Sequence, residues 1–216
     1  MLKAIIFDMD GVIIDSIGPI WESFNKVLKD EGVHFSDEYI KKNLARSLRD
    51  NLHAWKTEFG IKNYDLMEFS KKAGKIQFEL MRKEKENFDL LNLLQESKKN
   101  NIASAVATSS LRWRAEKILD LLNIKDYFQV LVTADDIKNH KPAPDVFLEA
   151  ANRLNVSPED CIVIEDAGNG IDAAKNANMK TVGLITKYHS ADELKHADIV
   201  IKDFSELDIW KIRKLF

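Results

Sequence analysis

Residues 4–15 read AIIFDMDGVIID. Ala4, Ile5, Ile6 and Phe7 form an unbroken apolar run, the pattern of a strand buried on both faces. Two acids, Asp8 and Asp10, follow it at once, with Gly11 directly after them. In an extended chain residues i and i+2 project to the same side, so these carboxylates repel and shift each other's pKa. A divalent cation would offset that repulsion, and so would a division in which one acid is ionised and the other protonated.

The same apolar pattern returns later in the chain. IASAVATSS (102–110), YFQVLVTADD (127–136), CIVIEDAGNG (161–170), KTVGLIT (180–186) and ADIVIKD (197–203) read as strands. Between them LRWRAEKILDLLN, PDVFLEAANRLN and NGIDAAKNANM repeat their apolar residues at three and four, as helices do. Apolar strands separated by helices predict an α/β fold with a parallel sheet covered on both faces. Residues 16–87 break the alternation, with helical stretches and no convincing strand. Pro19 and Gly32 bracket one helix, Ser36 and Asp37 can cap the next, and LMEFSKKAGKIQFELMRKEKE continues as a long charged helix that Gly74 weakens. The expected organisation is therefore a core of residues 1–15 and 88–216 interrupted by a helical insertion over 16–87.

Composition narrows the function classes. A chain of 216 residues with 45% hydrophobic and 31% charged residues is ordinary for a globular protein, and a net charge of −3 gives no global attraction to nucleic acid or anionic lipid. The lysines at 71–75 and 83–85 alternate with acids or apolar residues and read as a solvated helix face. The N-terminal apolar run is too short for a signal peptide and no segment has the length of a membrane span. Cys161 has no partner for an internal disulfide, so a reducing cytoplasm is expected, and its setting in CIVIED suggests a buried thiol. Trp21, Trp55, Trp113 and Trp210 recur with apolar residues at helical spacing and read as core. His140 reads as an exposed loop residue beside Lys141.

In open parallel sheets ligands bind beyond the carboxyl ends of the strands. Asp8 and Asp10, Thr108 and Ser109, Asp135 and Asp136, and Glu165 and Asp166 all stand there, and Lys141 precedes a helix starting near Pro144. Together these side chains suit phosphoryl transfer. One carboxylate attacks phosphorus, a second carboxyl moves the leaving-group proton, and a metal ion with a lysine offsets the phosphate charge. In that scheme Asp8 faces the metal and phosphorus while Asp10 carries a proton. Asp15, Asp135, Asp136, Asp145 and Asp172 read as caps or turn residues, and Gly11, Gly168 and Gly170 as tight turns or close backbone approaches.

Four stretches, FDMDGVIIDS, VATSS, HKPAPDVF and VIEDAGNGIDAA, resemble in order the four motifs of the haloacid dehalogenase-like hydrolases, spread over most of the chain. The likeness is greatest to the group that includes β-phosphoglucomutase and phosphoglycolate phosphatase. It implies a Rossmann-like core with a helical cap inserted after the first motif. By this resemblance Asp8 is the nucleophile that becomes an aspartyl-phosphate and Asp10 the acid and base. Thr108 and Lys141 bind phosphate, with Ser109 as a further donor. Asp166 holds Mg2+ together with Asp8 and the backbone carbonyl of Asp10, and Glu165 supports it.

Substrate choice would then rest with the cap, where Arg46, Ser47 and Arg49 fall at the junction of two predicted helices. The mutases carry a Lys-Gly-x-Ser-Arg pattern in the corresponding loop, whereas this chain has Leu44, Ala45, Arg46, Ser47 and Leu48, of which Ser47 alone agrees. The His and Trp of their first cap helix are not evident, Trp21 standing too early. The expected activity is a magnesium-dependent phosphatase acting on a small phosphate ester, with a sugar-phosphate mutase as the alternative. A receiver domain would be shorter and lack the insertion, a silent binding protein would have lost key residues, and a dehalogenase would lack the acid at Asp10.

Overall fold

The computed structural model describes residues 1–44, 46–82 and 87–216. They form two compact units, Met1–Ile14 with Glu86–Phe216, and Asp15–Lys85.

The first unit is built on a parallel sheet of β1 (Ala4–Phe7), β2 (Ala103–Ala107), β3 (Val130–Val132), β4 (Cys161–Glu165), β5 (Lys180–Leu184) and β6 (Ile199–Ile201), in the order β3-β2-β1-β4-β5-β6. Every strand of the central part is buried on both faces, which is why it can be apolar at successive positions. Ala4, Ile6, Ala105, Ala107 and Val163 point into one core layer with Val146, Phe147, Ala150 and Ala173. The small Ala105 and Ala107 of β2 share that layer with the large Phe147 ring. On the alternate positions Phe7 meets Phe128 edge-on, with ring centroids 5.7 Å apart. β3 is shorter than its apolar run suggests, because Lys125–Tyr127 and Ala134–Asp136 close into 3-10 turns on either side of it.

The second unit contains α1 (Ile17–Leu28), α2 (Asp37–Asn43), α3 (Leu48–Phe59) and α4 (Leu66–Met81). Each start after the first carries its cap: Ser36 accepts from Tyr39 N–H, Ser47 from Asp50 N–H and Asp65 from Glu68 N–H. Gly32, at φ +72°, ends the turn that follows α1. Trp21, Phe24, Phe35, Trp55 and Phe69 form one aromatic core, joined by ring contacts such as Phe24–Trp55 at 5.3 Å and Phe35–Trp55 at 4.6 Å. Gly74 lies on the buried side of α4 with Ala73, Gln77 and Phe78, and Gln77 donates to Ser23 of α1 at 3.0 Å. Lys71, Lys72 and Lys75 are exposed, as expected; the lysines at 83 and 85 lie outside the described residues.

The remaining helices belong to the first unit: α5 (Phe88–Lys99), α6 (Arg112–Leu121), α7 (Asp145–Leu154), α8 (Gly168–Asn176), α9 (Ala191–Leu194) and α10 (Ile209–Arg213). One expectation fails here. Trp210 is 74% exposed on α10, whose buried side is supplied by Ile209 and Ile212. Helical spacing shows that apolar residues share a face, but not that another element covers it. Among the described residues no helix is long and apolar enough to cross a membrane.

Candidate active site

The strand order reverses between β1 and β4, and in such sheets the crevice beyond the carboxyl ends of that pair is where ligands enter. Phe7 pairs with Ile164 across the two strands, and one residue further along each are Asp8 and Glu165. Asp166 follows. These three buried acids each bring an oxygen within 4.8 Å of the others.

Lys141 is the cation set among them. Its Nζ donates to Asp8 Oδ1 at 2.5 Å and to Glu165 Oε1 at 2.6 Å, and its side chain is 6% exposed. Glu165 is fixed from its other oxygen, which accepts Ala167 N–H at 2.9 Å. Burial alone would lower the Lys141 pKa, but the charges of Asp8 and Glu165 outweigh it and raise it. Burial pushes Asp8 up to about 7, against the pull of Lys141 and with Glu165 adding to the rise. Burial, then the neighbouring charges of Glu165 and Asp8, raise Asp166 well above the usual carboxylate range. One ammonium among three acids leaves negative charge uncompensated in a dry place.

A cation fits what remains. Asp166 Oδ2 is buried and has no hydrogen-bond partner among the described residues, an expensive arrangement for a carboxylate oxygen unless a positive ion completes it. Gly11, at φ +90°, makes room for that carboxylate, since a Cβ at this position would stand 2.0 Å from Asp166 Oδ2. Gly170 does the same for Glu165, where a Cβ would meet Oε1 at 1.9 Å. The close backbone approaches expected of Gly11 and Gly170 thus have named causes. The donor set of carboxylate oxygens suits a hard cation.

Asp10 has partners of its own. Arg114 Nη1 and Nη2 donate to its two oxygens, each at 2.8 Å, and Ser110 Oγ donates to Oδ2 at 2.7 Å. Arg114 Nη1 also reaches Ser110 Oγ at 2.6 Å. The structure therefore shows Asp10 held in a two-pronged contact by the arginine that α6 delivers, a partner the sequence reading did not include. Neither Ser110 nor Arg114 was marked from sequence. Their spacing of four at the start of a helix following β2 was the available signal.

Thr108 is buried after β2, and its Oγ1 accepts Ser110 N–H at 3.1 Å; Ser109 beside it is exposed. The acids read as caps or turn residues largely behave so. Asp136 accepts from Thr133 N–H and Oγ1, Asp135 accepts Arg112 N–H, and Asp145 accepts Asn139 N–H. Asp172 Oδ1 lies 3.1 Å from His196 Nε2, and Asp15 is exposed. His140 is half-buried, with Nδ1 enclosed, rather than exposed in its loop. Burial raises the Cys161 thiol to about 12, so it is no nucleophile at neutral pH.

In the helical unit Arg46 pairs with Glu58 at 3.5 Å, and Glu58 also accepts from the Tyr39 hydroxyl. Ser47 caps α3 and donates to Asp50 at 2.7 Å, and Arg49 is exposed. Ala45 lies outside the described residues.

Comparison with known proteins gives the family and the fold. The family described as haloacid dehalogenase-like hydrolase matches residues 5–184. A phosphorylated carbohydrates phosphatase of Thermotoga maritima is 31% identical over 204 residues, covering 92% of this chain and 93% of that protein. A β-phosphoglucomutase of Bacillus subtilis is 32% identical over 216 residues, covering 96% of this chain and 92% of that protein. The crystal structure of a β-phosphoglucomutase from Clostridium difficile superposes with a TM-score of 0.85 at 28% identity, covering 99% of this chain and 96% of that one.

Proposed function

This chain belongs to the haloacid dehalogenase-like hydrolases, and from that premise we propose that this phosphoric monoester hydrolase acts on a small phosphate ester, a sugar phosphate or similar, through an aspartyl-phosphate on Asp8. The observation that carries the reading is the Lys141 ammonium held between Asp8 and Glu165, beside Asp166 Oδ2, which has no hydrogen-bond partner among the described residues, at the strand-order reversal.

In the first half-reaction an Asp8 oxygen forms a bond to phosphorus while the bond to the ester oxygen breaks, its electron pair leaving with that oxygen. Asp10 enters this step protonated and gives that proton to the leaving oxygen. In the second, water attacks the phosphorus, gives its proton to Asp10, and the electron pair of the breaking P–O bond returns to Asp8. Lys141 holds one Asp8 oxygen and sets positive charge against the phosphate. The Thr108 hydroxyl, Ser109 and the backbone N–H groups that follow β2 donate to phosphate oxygens. Mg2+ would be held by Asp8, Asp166 and the Asp10 carbonyl with Glu165 behind them, and when bound it supplies the charge that offsets both the acids and the phosphate.

The mutase reading has relatives of that name in its favour. Phosphatase is preferred because a mutase needs a second phosphate clamp, and the nearest equivalents in this chain are engaged locally: Ser47 as a helix cap, Arg46 with Glu58. Purified protein is expected to release phosphate from a panel of small esters with Mg2+ and to stop with excess chelator. With β-glucose 1-phosphate and a trace of the 1,6-bisphosphate it should form little glucose 6-phosphate. Rapid conversion without phosphate release would overturn the phosphatase reading.

A further inference from the structure

We propose that Arg114, bridged by Ser110, is the positioning residue for Asp10; the inference rests on the acid–base role of Asp10 proposed above. Asp10 stands three residues beyond β1 on a loop, and a short side chain on a loop has several rotamers open to it. Proton transfer needs one of them, because the carboxyl must lie within hydrogen-bond reach of the leaving oxygen or the attacking water. The constraint comes from the neighbouring strand. β2 lies beside β1, and the segment after it brings Ser110 and then the first turn of α6 to the same edge of the sheet.

The contact is more than a surface ion pair. The Arg114 side chain is 7% exposed and that of Asp10 is 22% exposed, so the guanidinium has been withdrawn from water and Asp10 compensates it. Both carboxylate oxygens are addressed, one by each terminal nitrogen, and this fixes the plane of the carboxylate as well as its position. Ser110 closes the set by receiving from Arg114 and donating to Asp10, and its own N–H is tied to Thr108. The proton-handling acid is thus registered to the same β2 loop that carries the phosphate-binding threonine. Lys141, from the segment before α7, registers the nucleophile separately.

A residue that acts only through Asp10 should lose its effect once Asp10 cannot exchange protons, and a double-mutant cycle reads this directly. The variants are Arg114→Met, Arg114→Lys, which keeps the charge and loses the fork, and Ser110→Ala, the smallest change. Each is made alone and with Asp10→Asn, and kcat and KM are measured with Mg2+ on an alkyl and an aryl phosphate. Arg114→Met is expected to lower kcat on the alkyl phosphate about tenfold or more, a fraction of the roughly 10²–10⁴ that acid–base catalysis contributes. KM and the Mg2+ requirement should stay within about twofold. The aryl phosphate, whose leaving group needs no proton, should still give its first-turnover burst. In the Asp10→Asn background the same substitutions should change kcat by less than about twofold. Arg114→Lys should recover only part of the loss, and if Arg114→Met fails to fold, the Ser110→Ala cycle decides. Losses of equal factor with and without the Asp10 carboxylate would overturn the proposal and make Arg114 structural. Ordinary turnover by Asp10→Asn alone would remove the acid–base role itself, a failure separate from the cycle's result.

Discussion

Replacing Gly11 by alanine should damage the cation site more than the fold. At φ +90° a residue with a Cβ costs roughly 1–2 kcal/mol in the backbone. The added carbon would stand 2.0 Å from Asp166 Oδ2 and 2.5 Å from its Cγ, against contact distances of about 3.5 Å, so the carboxylate must retreat by more than an ångström. Asp166 is 3% exposed and can retreat only off its rotamer, which adds about 0.5–1.5 kcal/mol. The total is roughly 1.5–3.5 kcal/mol, or a drop in melting temperature of roughly 3–14 °C at 2–4 °C per kcal/mol for a chain of this size. Mg2+ demands oxygens at about 2.0–2.1 Å, so the displaced carboxylate should raise the Mg2+ needed for half activity at least about tenfold. Gly60→Ala is the control: φ is +68° with nothing within 4 Å of the added carbon, so it bears the backbone cost alone. Thermal melts with a Mg2+ titration of phosphate release read both effects. If the two variants lost equal stability and shared the wild-type Mg2+ midpoint, the close-approach reasoning would be refuted.

Gly170→Ala, whose Cβ would meet Glu165 Oε1 at 1.9 Å, should displace the acid that shares Lys141 and lower kcat at saturating Mg2+; an unchanged kcat would contradict that support. Asp8→Asn should abolish turnover while leaving the melting temperature close to wild type or higher, because it removes a buried charge from a repelling cluster. Asp136 tests pH. Burial opposes its ionisation, but bonds from Thr133 and Arg153 hold its pKa down to about 2, so its contribution is present above the unfolded value near 3.9 and is lost as pH falls through about 2. Denaturant melts of Asp136→Asn should therefore show a loss of about 1–3 kcal/mol at pH 7 that shrinks between about pH 4 and 2, and a loss independent of pH would contradict the assignment.

What could be read from the sequence follows from how far each signal reaches along the chain. The buried strands were legible because Ala4–Phe7 and Cys161–Glu165 are apolar without interruption, a pattern that two-sided burial requires. The acids at their ends were legible because charge has no structural business in that position. The Arg114–Asp10 pair was not, since its members are 104 residues apart and an arginine in an amphipathic helix ordinarily points to solvent. Trp210 failed because periodicity identifies a face without saying what covers it, and β3 ran short because the capping box of Thr133 and Asp136 turns the chain. Gly11 could be marked from sequence as a turn or close approach, but its partner Asp166 lies on another strand end and appears only once β1 and β4 are paired.

The central claim is that the phosphoryl group passes through Asp8. Asp10→Asn protein mixed with an aryl phosphate and Mg2+, quenched in acid and digested, should yield the peptide containing Asp8 heavier by one phosphoryl group and sensitive to hydroxylamine, as an acyl phosphate is. Asp8→Asn treated in the same way should carry none. A phosphoryl group on another residue, or undiminished turnover by Asp8→Asn, would contradict the account.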